Sequence, residues 1–214
     1  MHQCRYIAVE GAIGVGKTSL VKLLAEEMNA RCVLENIQNN PFLPDFYRDP
    51  RKYAFQTQIF FLVNRYIQHS EIQQQDLFNQ VTICDYLFEK DRIFANLTLD
   101  QNEIALYDQI FELFIKRVSR PDLVIYLQAR PRVLLERIRK RGIAYERNIS
   151  TRYLEKLSEA YNEYFFHYDD SPLLVVDTSE INFVQHSDDF EALKKEIRAM
   201  KRGKQYFRPL GSSR

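Results

Sequence analysis

The pattern G-x-x-x-x-G-K-[ST] is met at every fixed position by Gly11-Ala12-Ile13-Gly14-Val15-Gly16-Lys17-Thr18. An apolar run at residues 6–9 precedes it, and an amphipathic stretch begins at Ser19. Strand, glycine-rich turn and helix in that order restrict the fold more than anything else in the chain. Glycines let the backbone wrap closely around an anion where a Cβ would intrude. Successive N–H groups and the positive end of the next helix then form a concave anion site. In such a cradle, residues 11–19 hold the polyphosphate of a nucleoside triphosphate, Lys17 reaches its β- and γ-phosphates, and the Thr18 hydroxyl is a ligand for Mg²⁺.

Four further apolar runs, at residues 32–34, 81–84, 123–127 and 173–176, are compact rather than alternating. That is the pattern of parallel strands covered on both faces. Amphipathic stretches separate them. Residues 17–29 carry Leu20, Leu23 and Leu24; residues 50–75 carry Phe55, Ile59, Leu62, Val63 and Tyr66 at helical spacing. Residues 100–118 open on Asp100 as an N-cap, residues 131–141 open on Pro131, and residues 151–168 repeat Leu154, Leu157, Tyr161 and Phe165. The alternation predicts one α/β domain over residues 1–200. It is expected to be a P-loop NTPase-type doubly wound sheet of about five parallel strands with helices on both faces. Residues 201–214, with Lys201, Arg202, Lys204, Arg208 and Arg214, are expected to form a basic, flexible C-terminal tail.

The formal net charge of +1 gives the whole molecule nothing with which to attract nucleic acid or an anionic membrane, so any phosphate binding must be local. No apolar run approaches the ~20 residues of a membrane span, and the first strand leaves no room for a leader. Cys4, Cys32 and Cys84 are odd in number and widely spaced, which reads as buried free thiols and places the protein in a reducing cytoplasm. No N-K-x-D segment is present to read guanine.

The second apolar run ends at Glu35. A carboxylate at the carboxyl end of a strand beside the P-loop strand faces the ligand crevice of an open α/β sheet, where it can take the proton of an attacking hydroxyl. The residues from Glu35 onward form a more specific pattern: Glu35-Asn36-Ile37, Asn40-Pro41-Phe42-Leu43, Phe46-Tyr47-Arg48-Asp49-Pro50, Tyr53-Ala54-Phe55, Gln58 and Arg65-Tyr66. With Ile93-Phe94-Ala95, the run 121–127 and Glu136-Arg137-Ile138-Arg139-Lys140-Arg141-Gly142, this resembles the deoxynucleoside kinase family over roughly the first 180 residues.

The resemblance implies a 5′-kinase acting on a deoxynucleoside, purine favoured, with ATP and Mg²⁺, working as a homodimer in nucleotide salvage. It implies Glu35 as the base and Tyr47 and Glu146 on the sugar 3′-hydroxyl. Gln58 would read the base edge, Phe94 would stack on the base, and Arg65 would stand on the base side. A lid over about residues 137–148 would bring Arg141 to the transferring phosphoryl group, with Arg137 as its substitute.

The pattern breaks after the third strand, where the family shows Glu-Arg-Ser or Asp-Arg-Ser. Here Asp85-Tyr86-Leu87 stands instead. Asp85 takes the acid's place and is expected to hold Mg²⁺ through water beside Thr18. The arginine is replaced by Tyr86, with Arg92 the candidate to compensate. Ile143 occupies a second lid-arginine position, for which Arg147 is the alternative. Two other readings stay open: a nucleoside monophosphate kinase of the thymidylate type, which needs extra cations for an acceptor phosphate, and a nucleotide-binding regulatory module without turnover.

Overall fold

The computed structural model describes residues 4–75 and 81–209. The strands are β1 (Tyr6–Gly11), β2 (Arg31–Val33), β3 (Thr82–Cys84), β4 (Leu123–Gln128), β5 (Leu173–Asp177) and β6 (Lys204–Phe207). Among the described residues they form a six-stranded sheet in the order β2-β3-β1-β4-β5-β6, with every pairing parallel. All six residues of β1 are buried, because strands lie on either edge of it and helices lie above and below. The chain leaves β1 toward β2 and β3 on one side and later returns to lay β4 on the other. The crevice at the carboxyl ends of the strands therefore opens beside β1.

The helices are α1 (Lys17–Glu27), α2 (Leu43–Arg48), α3 (Pro50–Gln75), α4 (Asp91–Thr98), α5 (Gln101–Ile115), α6 (Pro131–Arg141), α7 (Thr151–His167) and α8 (Ser187–Ala199). Their ends obey local chemistry. Asp100 and Glu103 form a reciprocal capping box at the start of α5. Pro131 opens α6; Arg139, Lys140 and Arg141 fill its last turn, where cations favour the helix dipole; and Gly142, at φ 74°, closes it in the left-handed region. The main core packs β-strand residues such as Val9, Ile125 and Val176 against Leu20, Leu134, Leu157 and Phe165 from the helices. A second cluster, Leu62, Phe88, Ala95, Tyr107 and Phe111, joins α3, α4 and α5.

The sheet has one strand more than the sequence pattern suggests. Lys204–Phe207, expected within the flexible tail, pairs with β5 from Leu173 to Val176. Its Lys204 Nζ donates to the carbonyls of Phe165 and Phe166 at 2.7 and 2.6 Å, and its Gln205 donates to Glu196 of α8 at 2.8 Å. A basic, polar stretch becomes a strand here because its side chains find helix ends to bond. Residues 210–214 lie outside the described part. The cysteines also differ from expectation: Cys84 is buried, Cys4 is half-buried and Cys32 is exposed, since β2 forms the sheet edge. No described helix is long and apolar enough to cross a membrane.

Candidate active site

A cavity of about 640 Å³ lies over the carboxyl ends of the strands, within the range of small-molecule sites. Residues 13–19 of the glycine loop line one end. The loop needs its glycines. Gly11 has φ 151°, and a Cβ there would stand 2.3 Å from the Leu127 carbonyl oxygen. Gly14 has φ 83°, and a Cβ would meet the Leu134 carbonyl oxygen at 2.8 Å. Lys17 Nζ spans the loop, donating to the carbonyls of Gly11 and Ala12 at 2.7 and 3.3 Å. Burial lowers Lys17 from the ordinary lysine value; the Glu10 carboxylate opposes this and the Lys90 ammonium adds to it.

Thr18 and Asp85 meet as expected. The Thr18 hydroxyl donates to Asp85 Oδ2 at 2.7 Å, and Asp85 Oδ1 accepts from the Glu35 backbone N–H at 2.6 Å. A hydroxyl and a carboxylate side by side at the phosphate end are hard oxygen donors of the kind Mg²⁺ takes, with phosphate oxygens and water completing its shell. This donor set fits that ion.

Every acceptor residue named from the sequence lines the same cavity: Glu35, Tyr47, Gln58, Arg65, Phe94 and Glu146, with Arg141 at its rim. Asn40 ties the segment before α2 to α3, the helix that carries Gln58 and Arg65. Its side-chain amide donates to the Thr57 carbonyl on α3 at 3.2 Å, and its Oδ1 accepts from the Phe42 N–H at 3.0 Å. Gln58 and Arg65, two turns apart on α3, point inward and are almost fully buried. Gln58 Nε2 approaches the Thr98 hydroxyl at 3.4 Å. Phe94 sets its ring edge-on to Tyr161 at 6.1 Å. In the lid, Arg141 Nη2 bonds Glu146 Oε2 at 2.6 Å, and Tyr145 stacks on Tyr47 at 5.6 Å.

The Glu35 carboxylate is held by two buried cations. Arg65 Nε donates to it at 2.6 Å while another arm of the same guanidinium binds Asp91; Lys90 Nζ donates to it at 3.1 Å. Burial alone would raise the Glu35 carboxyl, but Arg65 and then Lys90 outweigh it and hold the acid at about 2. Behind this group lies Glu10, fully buried, accepting from the N–H groups of Gly11 and Leu87 at 2.8 and 2.9 Å and from the Tyr161 hydroxyl at 3.1 Å.

Arg92 and Arg147, offered for missing arginines, and Arg137, offered as a substitute for Arg141, take other places. Arg92 pairs with Asp108 at 3.2 Å and lies over Phe111, on the outer side of α4. Arg147 is exposed and does not line the cavity. Arg137 is a brace: its guanidinium donates to the carbonyls of Val15, Thr178 and Ile181 and to the Thr178 hydroxyl, at 2.7 to 3.2 Å. It thereby fastens the glycine loop to the 178–185 segment, whose Phe183 ring lies against Gly16. Tyr86, in the family arginine's place, is buried among Tyr6, Ile72 and Cys84, away from the cavity. The sequence reading missed Lys90 and Glu10. Lys90 lies four residues before Phe94, at the start of α4, but its pairing with Glu35 is long-range and left no mark in the local sequence.

A doubly wound parallel sheet, a glycine loop ending in Lys-Thr and a neighbouring carboxylate facing it together define a P-loop phosphotransferase. The profile of the deoxynucleoside kinase family matches residues 7–201, and the chain belongs to that family. It is an ATP-dependent kinase. It is 33% identical to a deoxyguanosine kinase of Bacillus subtilis over 205 residues, 94% of this chain and 99% of that one. It is 35% identical to a deoxyadenosine kinase of Dictyostelium discoideum over 164 residues, 74% of this chain and 66% of that one. The structure of deoxyadenosine kinase from M. mycoides with dCMP and dCDP superposes with a TM-score of 0.80 at 25% identity, covering 91% of this chain and 99% of that one.

Proposed function

We propose that the protein transfers the γ-phosphoryl group of ATP to the 5′-hydroxyl of a purine deoxynucleoside, in nucleotide salvage. The observation that carries this reading is that Glu35 shares one cavity with the glycine loop and is tied to Thr18 through Asp85. Glu35 takes the 5′-hydroxyl proton, O5′ bonds to the γ-phosphorus, the bond to the β,γ-bridging oxygen breaks, and ADP leaves. Lys17 and the loop amides hold the triphosphate in line. Thr18 and, through water, Asp85 would hold Mg²⁺, which would supply positive charge against the phosphate oxygens.

On the acceptor side, Gln58 reads the base edge, Phe94 stacks on the base, and Tyr47 and Glu146 take the sugar 3′-hydroxyl. Arg141 exchanges Glu146 for phosphoryl oxygens as the lid closes. The purine preference draws on Arg65 and on relatives named for deoxyguanosine and deoxyadenosine. A neutral acceptor is favoured over a monophosphate because Arg65, the buried cation of the acceptor wall, is already committed to Glu35 and Asp91. The protein acts as a cytoplasmic homodimer, joined through α3 and α5, where Ile67, Leu106 and Leu113 are exposed.

Initial rates with the four deoxynucleosides and their monophosphates test this. Turnover of deoxyguanosine or deoxyadenosine is expected to lead. Faster turnover of a monophosphate, or tight nucleotide binding with no ADP released, would overturn it.

A further inference from the structure

We propose that Lys90 is a catalytic residue, the cation that binds the transferring phosphoryl group during attack. The inference rests on the proposed kinase activity and adds to the lid's Arg141 a second cation, held beside the base from the start.

Phosphoryl transfer needs positive charge aimed at oxygens whose charge redistributes in the transition state. The cations that line the cavity differ in what they have left to give; Arg141, in the lid, bonds Glu146. Arg65 spends Nε and both terminal nitrogens on Glu35 and Asp91. Arg137 is occupied by three carbonyls and a hydroxyl. Lys17 belongs to the β,γ-phosphate cradle. Lys90 is different. The turn Phe88–Lys90 delivers its ammonium between Glu35 Oε2 at 3.1 Å and Glu10 Oε2 at 3.5 Å, with the side chain 3% exposed. An ammonium carries three protons, so one remains for a third acceptor. Lys90 also lines the cavity that Glu35 and Lys17 share.

The same contact explains how Glu35 can act as a base. While paired to Lys90 and Arg65 it is a weak proton acceptor. A phosphoryl oxygen that draws the Lys90 ammonium toward itself loosens that grip as O5′ approaches. The proton then passes from O5′ to Glu35, the O5′–Pγ bond forms and ADP departs, with Lys90 protonated throughout.

Lys90→Gln keeps a donor to Glu35 and removes the charge. It is expected to lower kcat by about 10²–10³ with KM for deoxynucleoside and ATP changed less than about threefold. Lys90→Arg should restore much of the rate. ATP affinity and melting temperature check that each variant folds. A positioning role through Glu35 alone would make the Lys90→Gln, Glu35→Gln double variant no slower than Glu35→Gln; the proposal requires a further loss of about tenfold or more. A double variant as active as Glu35→Gln, or a Lys90→Gln kcat within threefold of wild type, overturns it while leaving the kinase reading intact. A wild-type protein without turnover removes both.

Discussion

The Thr18 hydroxyl donates to Asp85 Oδ2 across 2.7 Å, and the other oxygen of the same carboxylate accepts the Glu35 N–H. One carboxylate thus spaces the phosphate loop from the segment that carries the base. Asp85→Asn keeps the shape but places an amide where one of two acceptors is needed. Activity is expected to fall about 10–100-fold, with half-saturation by Mg²⁺ moved to higher concentration. Rates measured across a magnesium titration check this, and an unchanged half-saturation point would separate Asp85 from the metal.

Glu35→Gln removes the proton acceptor, and kcat is expected to fall by about 10²–10⁴. The same variant has a stability signature. The Glu35 carboxyl lies at about 2 against an ordinary 4.5, so the folded state favours its ionised form. Its contribution is complete above pH 4.5 and fades as pH falls toward 2. The stability gap between wild type and variant, read by denaturant unfolding, should therefore narrow over that window.

His69 gives a second, separate window. It is buried, accepts the Ser119 N–H at Nε2 over 2.7 Å, and is lowered by burial from 6.5 to about 4. The unfolded chain takes up its proton first, so stability is complete above pH 6.5 and falls as pH drops toward 4. The slope contributed approaches ~1.4 kcal/mol per pH unit. His69→Gln, which retains an acceptor, should flatten that part of the profile in unfolding titrations between pH 7.5 and 4.5.

Arg137→Met cuts the brace between the glycine loop and the 178–185 segment. The lost charge-assisted bonds, worth about 1.5–3 kcal/mol, should lower the melting temperature by roughly 3–12 °C. KM for ATP should rise about tenfold while KM for the deoxynucleoside holds, because Phe183 beside Gly16 loses its mooring. Equal changes in the two constants would contradict a donor-side role.

Five strands and the glycine loop were legible because each rests on a local pattern: a compact apolar run, or fixed spacing. α3 and α6 open at their prolines, and α6 closes where its last-turn cations and Gly142 indicate. What stayed hidden depends on distant pairing. β6 has no apolar run and forms because β5 offers an edge and α7 offers carbonyls. Glu10 reads as the polar end of a strand, yet it is buried by partners at Leu87 and Tyr161. Lys90 meets Glu35 across 55 positions of sequence, which no window could join.

Arg65 grips the proposed base with one side of its guanidinium and the first residue of α4 with another, two turns along the helix from the amide assigned to the nucleobase. Selectivity and speed therefore share a part. Laboratory evolution toward a different base should find its gains at Gln58 and the apolar wall beside it. Replacements at Arg65 should surface as slow enzymes whatever base they accept.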